Sequence, residues 1–157
     1  MQKIVTSLWF DTQAEEAARF YVSVFANSRL GEITRYAVDG PGGKAGQVLT
    51  VEFTLDGQHF MALNGGPFFK FSEAISLTVN CRDQNEIEAM WAKLSADGSG
   101  QCGWVKDKYG LSWQIVPVEL RRMLQAGSPA QKKAVMEAVM KMQKLDIAGL
   151  QAAYDGA

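Results

Sequence analysis

Glu52 stands in the middle of the run TVEFTL with Thr50 and Thr54 at alternate positions, and a carboxylate held among hydroxyls can orient a ligand or move a proton. The plain alternative is a solvated glutamate on the outer face of a sheet. Three other segments carry small polar side chains in the same rhythm. SLTVN contributes Ser76 and Thr78, LSWQI contributes Ser112 and Gln114, and TSLWF contributes Thr6, with Leu8 and Phe10 on the same alternation. Hydroxyls and an amide at every second strand position can grip a small molecule through directional hydrogen bonds, while apolar neighbours exclude water. Glu52 is therefore the candidate for proton transfer. Thr6, Leu8, Phe10, Ser76, Thr78, Ser112 and Gln114 are the candidate ligand-binding residues.

Other chemistries lack their residues. The single histidine, His59, follows the turn DGQ, where a solvated side chain is expected, and a Ser-His-Asp or Cys-His arrangement would require it to reach across the fold. Cys81 and Cys102 have no CxxC spacing and sit in apolar, strand-like runs, which suits free thiols better than a disulfide or a catalytic pair. No His/Cys spacing resembles a zinc or iron site, so neither a metal nor a cofactor is expected. GPGGKA formally fits G-x-G-x-x-A, but a strand follows it instead of a helix whose N–H groups could hold a pyrophosphate.

Periodicity supplies the elements that must position these residues. KIVTSLWF has the composition of a strand, and TQAEEAARFYVSVFANS repeats Ala14, Ala17, Ala18, Tyr21, Val22 and Phe25 at helical spacing. GEITRYAV, QVLTVEFTL and HFMALN then read as three strands in hairpins. After the break GGP the order recurs: EAISLTVNC is a strand, and DQNEIEAMWAKLSADG is a helix with Asp83 as N-cap and Glu86 at N3. SGQCGWVKD and YGLSWQIVP supply further strands. From Pro117 the chain is helical, with Ser128, Pro129 and Gln131 marking a helix start. Val135, Val139 and Met142 form an apolar stripe that packs either on the same chain or on a partner subunit. The expected divisions are 1–66, 67–118 and 119–157. Val51, Phe53 and Leu55 oppose Thr50, Glu52 and Thr54, and Trp113 and Ile115 oppose Ser112 and Gln114. Each sheet should therefore have one greasy face under a helix and one small, polar face.

With 157 residues, 47% of them hydrophobic, the chain can bury a core without disulfides. Its 16 basic and 17 acidic side chains are interspersed and leave a net charge of −1, which argues against nucleic acid as a partner. There is no apolar run of about 18 residues and no signal-peptide layout, so a cytoplasmic protein without a membrane partner is expected.

LWFDTQAEEAARFYVSVFANS, LNGGPFFKFSEAISLTVNC and CGWVKDKYGLSWQIVP, taken with the repeated element order, resemble the vicinal oxygen chelate superfamily over residues 1 to 120. Within it the match is to the PhnB-like branch, also labelled 3-demethylubiquinone-9 3-methyltransferase-like, and the helical tail looks like extensions seen there. The resemblance implies an α+β fold of two βαβββ modules whose curved mixed sheets surround a cavity, with a C-terminal helical extension and commonly a homodimer. In metal-using members such as glyoxalase I and the extradiol dioxygenases, corresponding strands of the two modules supply the ligands. That scheme puts Thr6, Ala62, Ala74 and Gln114 at or near the ligand positions, and of these only Gln114 could coordinate. One neutral amide cannot hold a divalent cation against water. A methyl donor would need a Gly-rich loop leading into a helix, and here the loop leads into a strand. The preferred expectation is thus a protein that binds an unknown small, partly apolar metabolite, with or without catalysis. The alternatives are a metal-dependent lyase, isomerase or dioxygenase, a methyltransferase (disfavoured), and a protein whose main role is assembly through its helical tail.

Overall fold

β-Branched and aromatic residues near the start of the chain form β1 (Thr6–Phe10), which leads into α1 (Ala14–Val24). β2 (Arg29–Arg35), β3 (Val48–Leu55) and β4 (Gln58–Asn64) follow. The computed structural model describes residues 2–157, divided into one unit that ends at Phe71 and another from Ser72 to Ala157. In the first unit the strand order is β1-β4-β3-β2, with β1 parallel to β4 and the other pairs antiparallel. Asp56 and Gly57, with φ of 47° and 80°, make the two-residue turn between β3 and β4.

Small residues bring α1 close to the sheet. Ala14, Ala17, Ala18 and Tyr21 are fully buried, and the Tyr21 ring stacks on Phe53, which stacks on Phe60. Leu8, Phe10, Val51, Leu55 and Ala62 complete this apolar layer, none more than 7% exposed. Each large side chain buried there contributes about 1.5–3 kcal/mol. The helix start has no side-chain cap of its own. Asn64 provides one from the end of β4: its Oδ1 accepts from Ala14 N at 2.8 Å, and its Nδ2 donates to Val48 O at 3.1 Å.

The glycine-rich loop between β2 and β3 is folded onto the same strand end. Tyr36 Oη donates to Asn64 O at 2.6 Å and accepts from Gly42 N at 3.2 Å. A Cβ on Gly42 would lie 2.1 Å from Asn64 O, so close backbone approach is what requires glycine here.

The second unit opens with β5 (Ser76–Cys81), α2 (Gln84–Leu94), β6 (Trp104–Lys106) and β7 (Ser112–Pro117). Its three strands are ordered β5-β7-β6, and again the first strand runs parallel to the last. Between α2 and β6 the run ADGSGQ makes turns and one isolated bridge, Gln101 to Trp104. The fold is thus α+β with mixed sheets of four and three strands, neither closed into a barrel. Asp83 caps α2 as its position suggests, accepting from Glu86 N at 2.8 Å. Ile87, Trp91 and Leu94 on that helix are buried, as are Cys81, Val105, Trp113 and Ile115 on the strands.

The β6–β7 turn is organised by one buried carboxylate. Asp107 Oδ1 accepts from Tyr109 N at 2.8 Å and Leu111 N at 3.1 Å, and its Oδ2 accepts from Trp113 Nε1 at 2.8 Å. A charged acceptor shared by two turn amides and an indole fixes the hairpin register and the tryptophan rotamer together.

Three helices complete the chain: α3 (Val118–Ala126), α4 (Pro129–Lys141) and α5 (Ile147–Asp155). They gather around Leu120, Met123, Val135, Leu145 and Leu150, with Val116, Val139 and Met142 packed against that cluster. The Val135, Val139 and Met142 stripe is therefore occupied by its own chain. Met136 and Met140 face outward, 54% and 60% exposed. Ser128 and Gln131 form the capping box at the start of α4. Gln84 ties the tail to α2, with Nε2 donating to Leu145 O at 3.0 Å and Oε1 accepting from Ile147 N at 2.9 Å.

Two outcomes follow from this packing. Asp107→Ala strands three donors and should lower unfolding stability by about 3 kcal/mol in urea denaturation, whereas Asp107→Asn, which keeps one carbonyl oxygen for the turn amides, should lose less. Burial, with Glu86 and Asp83 adding to it, pushes the Cys81 thiol up from 9.0 to about 12. Because the folded value lies above the unfolded one, this thiol's contribution to stability is complete below about pH 9 and declines as pH rises toward 12. Iodoacetamide at pH 8 should accordingly leave Cys81 unmodified in the native protein and alkylate it in urea. Native labelling of Cys81 at the rate seen for Cys102, read by peptide mass spectrometry, would contradict this.

Candidate functional site

Strand register sorts the candidate residues by face, because directly paired residues project to the same side of a sheet. In the first unit Leu8 pairs with Ala62, which pairs with Val51; Thr6 pairs with Phe60, which pairs with Phe53. Thr6, Leu8 and Phe10 therefore lie on the helix-covered face, opposite to Glu52, and do not share a space with it. This corrects the alternation expected for β1. Both phases of TSLWF contain bulky apolar residues, and burial of Leu8 and Phe10, each 4% exposed, decides between them.

The β1 residues on the face of Glu52 are Ser7 and Trp9. Ser7 pairs with Met61 and Met61 with Glu52, while Trp9 pairs with Leu63 and Leu63 with Thr50. Trp9 is fixed by donating from Nε1 to Gly66 O at 3.0 Å and by an edge contact with Phe69. On the other side of Glu52 the pairing of β2 jumps from Leu30–Phe53 to Ile33–Val51, so Gly31 and Glu32 bulge opposite it. A Cβ on Gly31 would sit 3.2 Å from Glu52 Cβ. Glycine in the bulge keeps the half-buried Glu52 uncrowded.

The second sheet does bring its candidates together. Ser76 pairs with Ser112 and Thr78 with Gln114; Lys106 and Trp104 extend the two rows on β6. Gln114 Nε2 donates to Ser76 Oγ at 2.9 Å. Lys106 forms an ion pair with Glu73 and holds that carboxyl below its usual range. Ser112 is fully buried, and its Oγ has no hydrogen-bond partner among the described residues.

The superfamily's divalent ion does not fit the donors in this chain. Of the positions the resemblance assigns to ligands, Thr6 and Ala62 face the helix side, Ala74 is exposed just ahead of β5, and Gln114, whose Nε2 holds Ser76, offers a single neutral carbonyl oxygen. Among the described residues no three His, Cys, Asp or Glu side chains converge where an ion could sit. A methyl donor fares similarly: the loop containing Gly40, Gly42 and Gly43 joins two strands and packs on Tyr36 and Asn64. The positions of Ser7 and Lys106 on these faces carry no signal in the linear pattern, since each depends on cross-strand pairing.

Comparison with known proteins agrees with this architecture. The family model described as 3-demethylubiquinone-9 3-methyltransferase matches residues 2–116, so α3, α4 and α5 lie beyond the matched segment. A PhnB protein from Bacillus cereus, described as a candidate 3-demethylubiquinone-9 3-methyltransferase, is 38% identical with a TM-score of 0.64, over 74% of this chain and 99% of its own. A protein from Staphylococcus aureus is 31% identical over 73% of this chain and 95% of its own, with a TM-score of 0.35. Protein PA1353 from Pseudomonas aeruginosa shares the fold, at 18% identity and a TM-score of 0.57 over 74% of this chain and 98% of its own. No curated protein matches. The two open mixed sheets, the family model and the Bacillus relative agree: the chain belongs to the 3-demethylubiquinone-9 3-methyltransferase family, the PhnB-like branch of the vicinal oxygen chelate superfamily.

Proposed function

We propose that this PhnB-like protein binds a small, partly apolar metabolite on a polar-lined sheet face, without a tightly bound catalytic metal. The observation that carries the reading is the Ser112 hydroxyl, buried and unpartnered between Ser76 and Lys106 in the same row. An unsatisfied buried hydroxyl destabilises a fold by about 1–3 kcal/mol, a penalty that a ligand removes when the side chains covering Ser112 move aside and it hydrogen-bonds there. Gln114 keeps its carbonyl oxygen for a ligand donor while its amide holds Ser76, and Trp104 in its row offers an apolar surface. Thr78 adds a hydroxyl beside Gln114. Glu52, on the open face of the first sheet, is the group we assign to proton transfer on a substrate taken up at that face, a role suited to a carboxylate that the Gly31 bulge leaves uncrowded. The same reading has the protein act as a cytoplasmic homodimer with no nucleic-acid or membrane partner; no helix among the described residues is long and apolar enough to cross a bilayer.

Ser112→Ala separates binding from stability. It should raise the unfolding free energy by about 1 kcal/mol, because it deletes an unsatisfied group, while lowering affinity for any metabolite that shifts the melting temperature of the unmodified protein. Gln114→Ala should weaken the same compounds without the gain in stability. A destabilised Ser112→Ala protein with full affinity would refute the reading, as would stoichiometric zinc, nickel, iron or manganese in elemental analysis of the purified protein.

A further inference from the structure

We propose that the first unit carries a binding site for a tetrahedral oxyanion of the phosphate class, at the end of its open face nearest the β3–β4 turn. Arg29 pairs with Thr54 and Thr54 pairs with His59, so β2, β3 and β4 each place one side chain in a single row on the face of Glu52. With Asn27, Ser28 and Gly57 these residues line a cleft of about 260 Å³.

The cleft's rim is tied together. Asn27 Nδ2 donates to Asp56 Oδ1 at 3.3 Å, and Asp56 N donates to Ser28 Oγ at 3.1 Å, joining the segment after α1 to the hairpin turn. Asn27 and Asp56 have φ of 54° and 47°, in the left-handed region that asparagine and aspartate enter more readily than other side chains.

The side chains of Arg29, Thr54 and His59 make no hydrogen bond or ion pair among the described residues. Several other basic groups behave differently: Arg19, Lys44, Arg82, Lys106, Arg122, Lys133 and Lys144 have carboxylate partners. An unpaired guanidinium, a hydroxyl and an imidazole in one row form a donor set with a positive end. Of the nearby carboxylates, Asp56 is engaged by Asn27, and Glu52 lies one row further along β3.

Donor number and direction select the ligand. The guanidinium offers a planar fork, and the hydroxyl and imidazole approach from neighbouring strands about 4.8 Å apart. A tetrahedral anion presents oxygens in three dimensions and can accept from all three, whereas a carboxylate held by the fork offers its remaining lone pairs only in its own plane. The site is confined to the first unit and does not depend on the metabolite reading, which is centred on the second sheet.

Titration of the full chain with inorganic phosphate, followed by amide NMR, tests the assignment. Saturable shifts should concentrate at Asn27, Ser28, Arg29, Gly57 and His59. Arg29→Gln should weaken binding by about tenfold or more and His59→Gln by about threefold or more, while Lys44→Gln, a surface change elsewhere, should have no effect. Sulfate should compete and acetate should bind at least about tenfold more weakly. Shifts that never saturate, affinity unchanged in both Arg29→Gln and His59→Gln, an equal loss in Lys44→Gln, or acetate binding as tightly as phosphate would each overturn the proposal.

Discussion

The parallel pairing of β1 with β4, in the register that sets Leu8 against Ala62, governs everything else in the first unit. Strand side chains alternate, so a slip by one residue would exchange the two faces completely. It would bring Trp9 under α1, where Ala14, Ala17 and Ala18 leave room only for a close-packed layer, and would move Leu8 and Phe10 into the open. The second unit repeats the constraint with β5 on β7, where Leu77 meets Trp113 and Val79 meets Ile115. In both units the buried apolar layer is what assigns hydroxyls, amides and charges to the opposite side.

Buried polar groups then fix the ends of these sheets. Asn64 spans a helix start and a strand carbonyl, and its own carbonyl oxygen receives the Tyr36 hydroxyl; Asp107 gathers two turn amides and an indole. Each group is 5% exposed or less, so its cost of desolvation is offset only because its hydrogen bonds are made. Ser112 breaks this pattern. It is as deeply buried as its apolar neighbours yet has no hydrogen-bond partner among the described residues.

Much of this was legible in the linear pattern. The order of strands and helices, the caps at Asp83 and Ser128, and the opposition of Trp113 and Ile115 to Ser112 and Gln114 all follow from local periodicity and short-range hydrogen bonding. Three things were not. The phase of β1 was ambiguous because Leu8, Phe10 and Trp9 are all bulky, and only the fit beneath α1 resolves it. The cap from Asn64 to Ala14 spans fifty positions, and no local signal announces it. The row of Arg29, Thr54 and His59 exists only after β2, β3 and β4 pair, since the three are far apart along the chain. Long-range hydrogen bonds and cross-strand rows are properties of pairing, whereas caps and alternation are properties of the chain.

The two units share the parallel pairing of first strand with last but differ in strand number and in the chemistry of their open faces. That of the first carries Arg29, Glu52 and His59; that of the second carries Ser76, Thr78, Ser112 and Gln114, with the charge of Lys106 balanced by Glu73. Metal-using members of the superfamily, as the resemblance describes them, draw His, Glu or Gln ligands from corresponding strands of the two modules. Here the corresponding rows do not match. Ser7, Met61 and Glu52 in one sheet offer a single carboxylate beside a thioether, and Ser76, Ser112 and Lys106 in the other offer hydroxyls beside an ammonium. A divalent ion needs several hard or imidazole donors at fixed geometry, and an ammonium in the row repels it. Neutral hydroxyls and an amide match carbonyl and hydroxyl groups, and a guanidinium row matches an oxyanion, which is the chemistry that the two proposals assign to these faces.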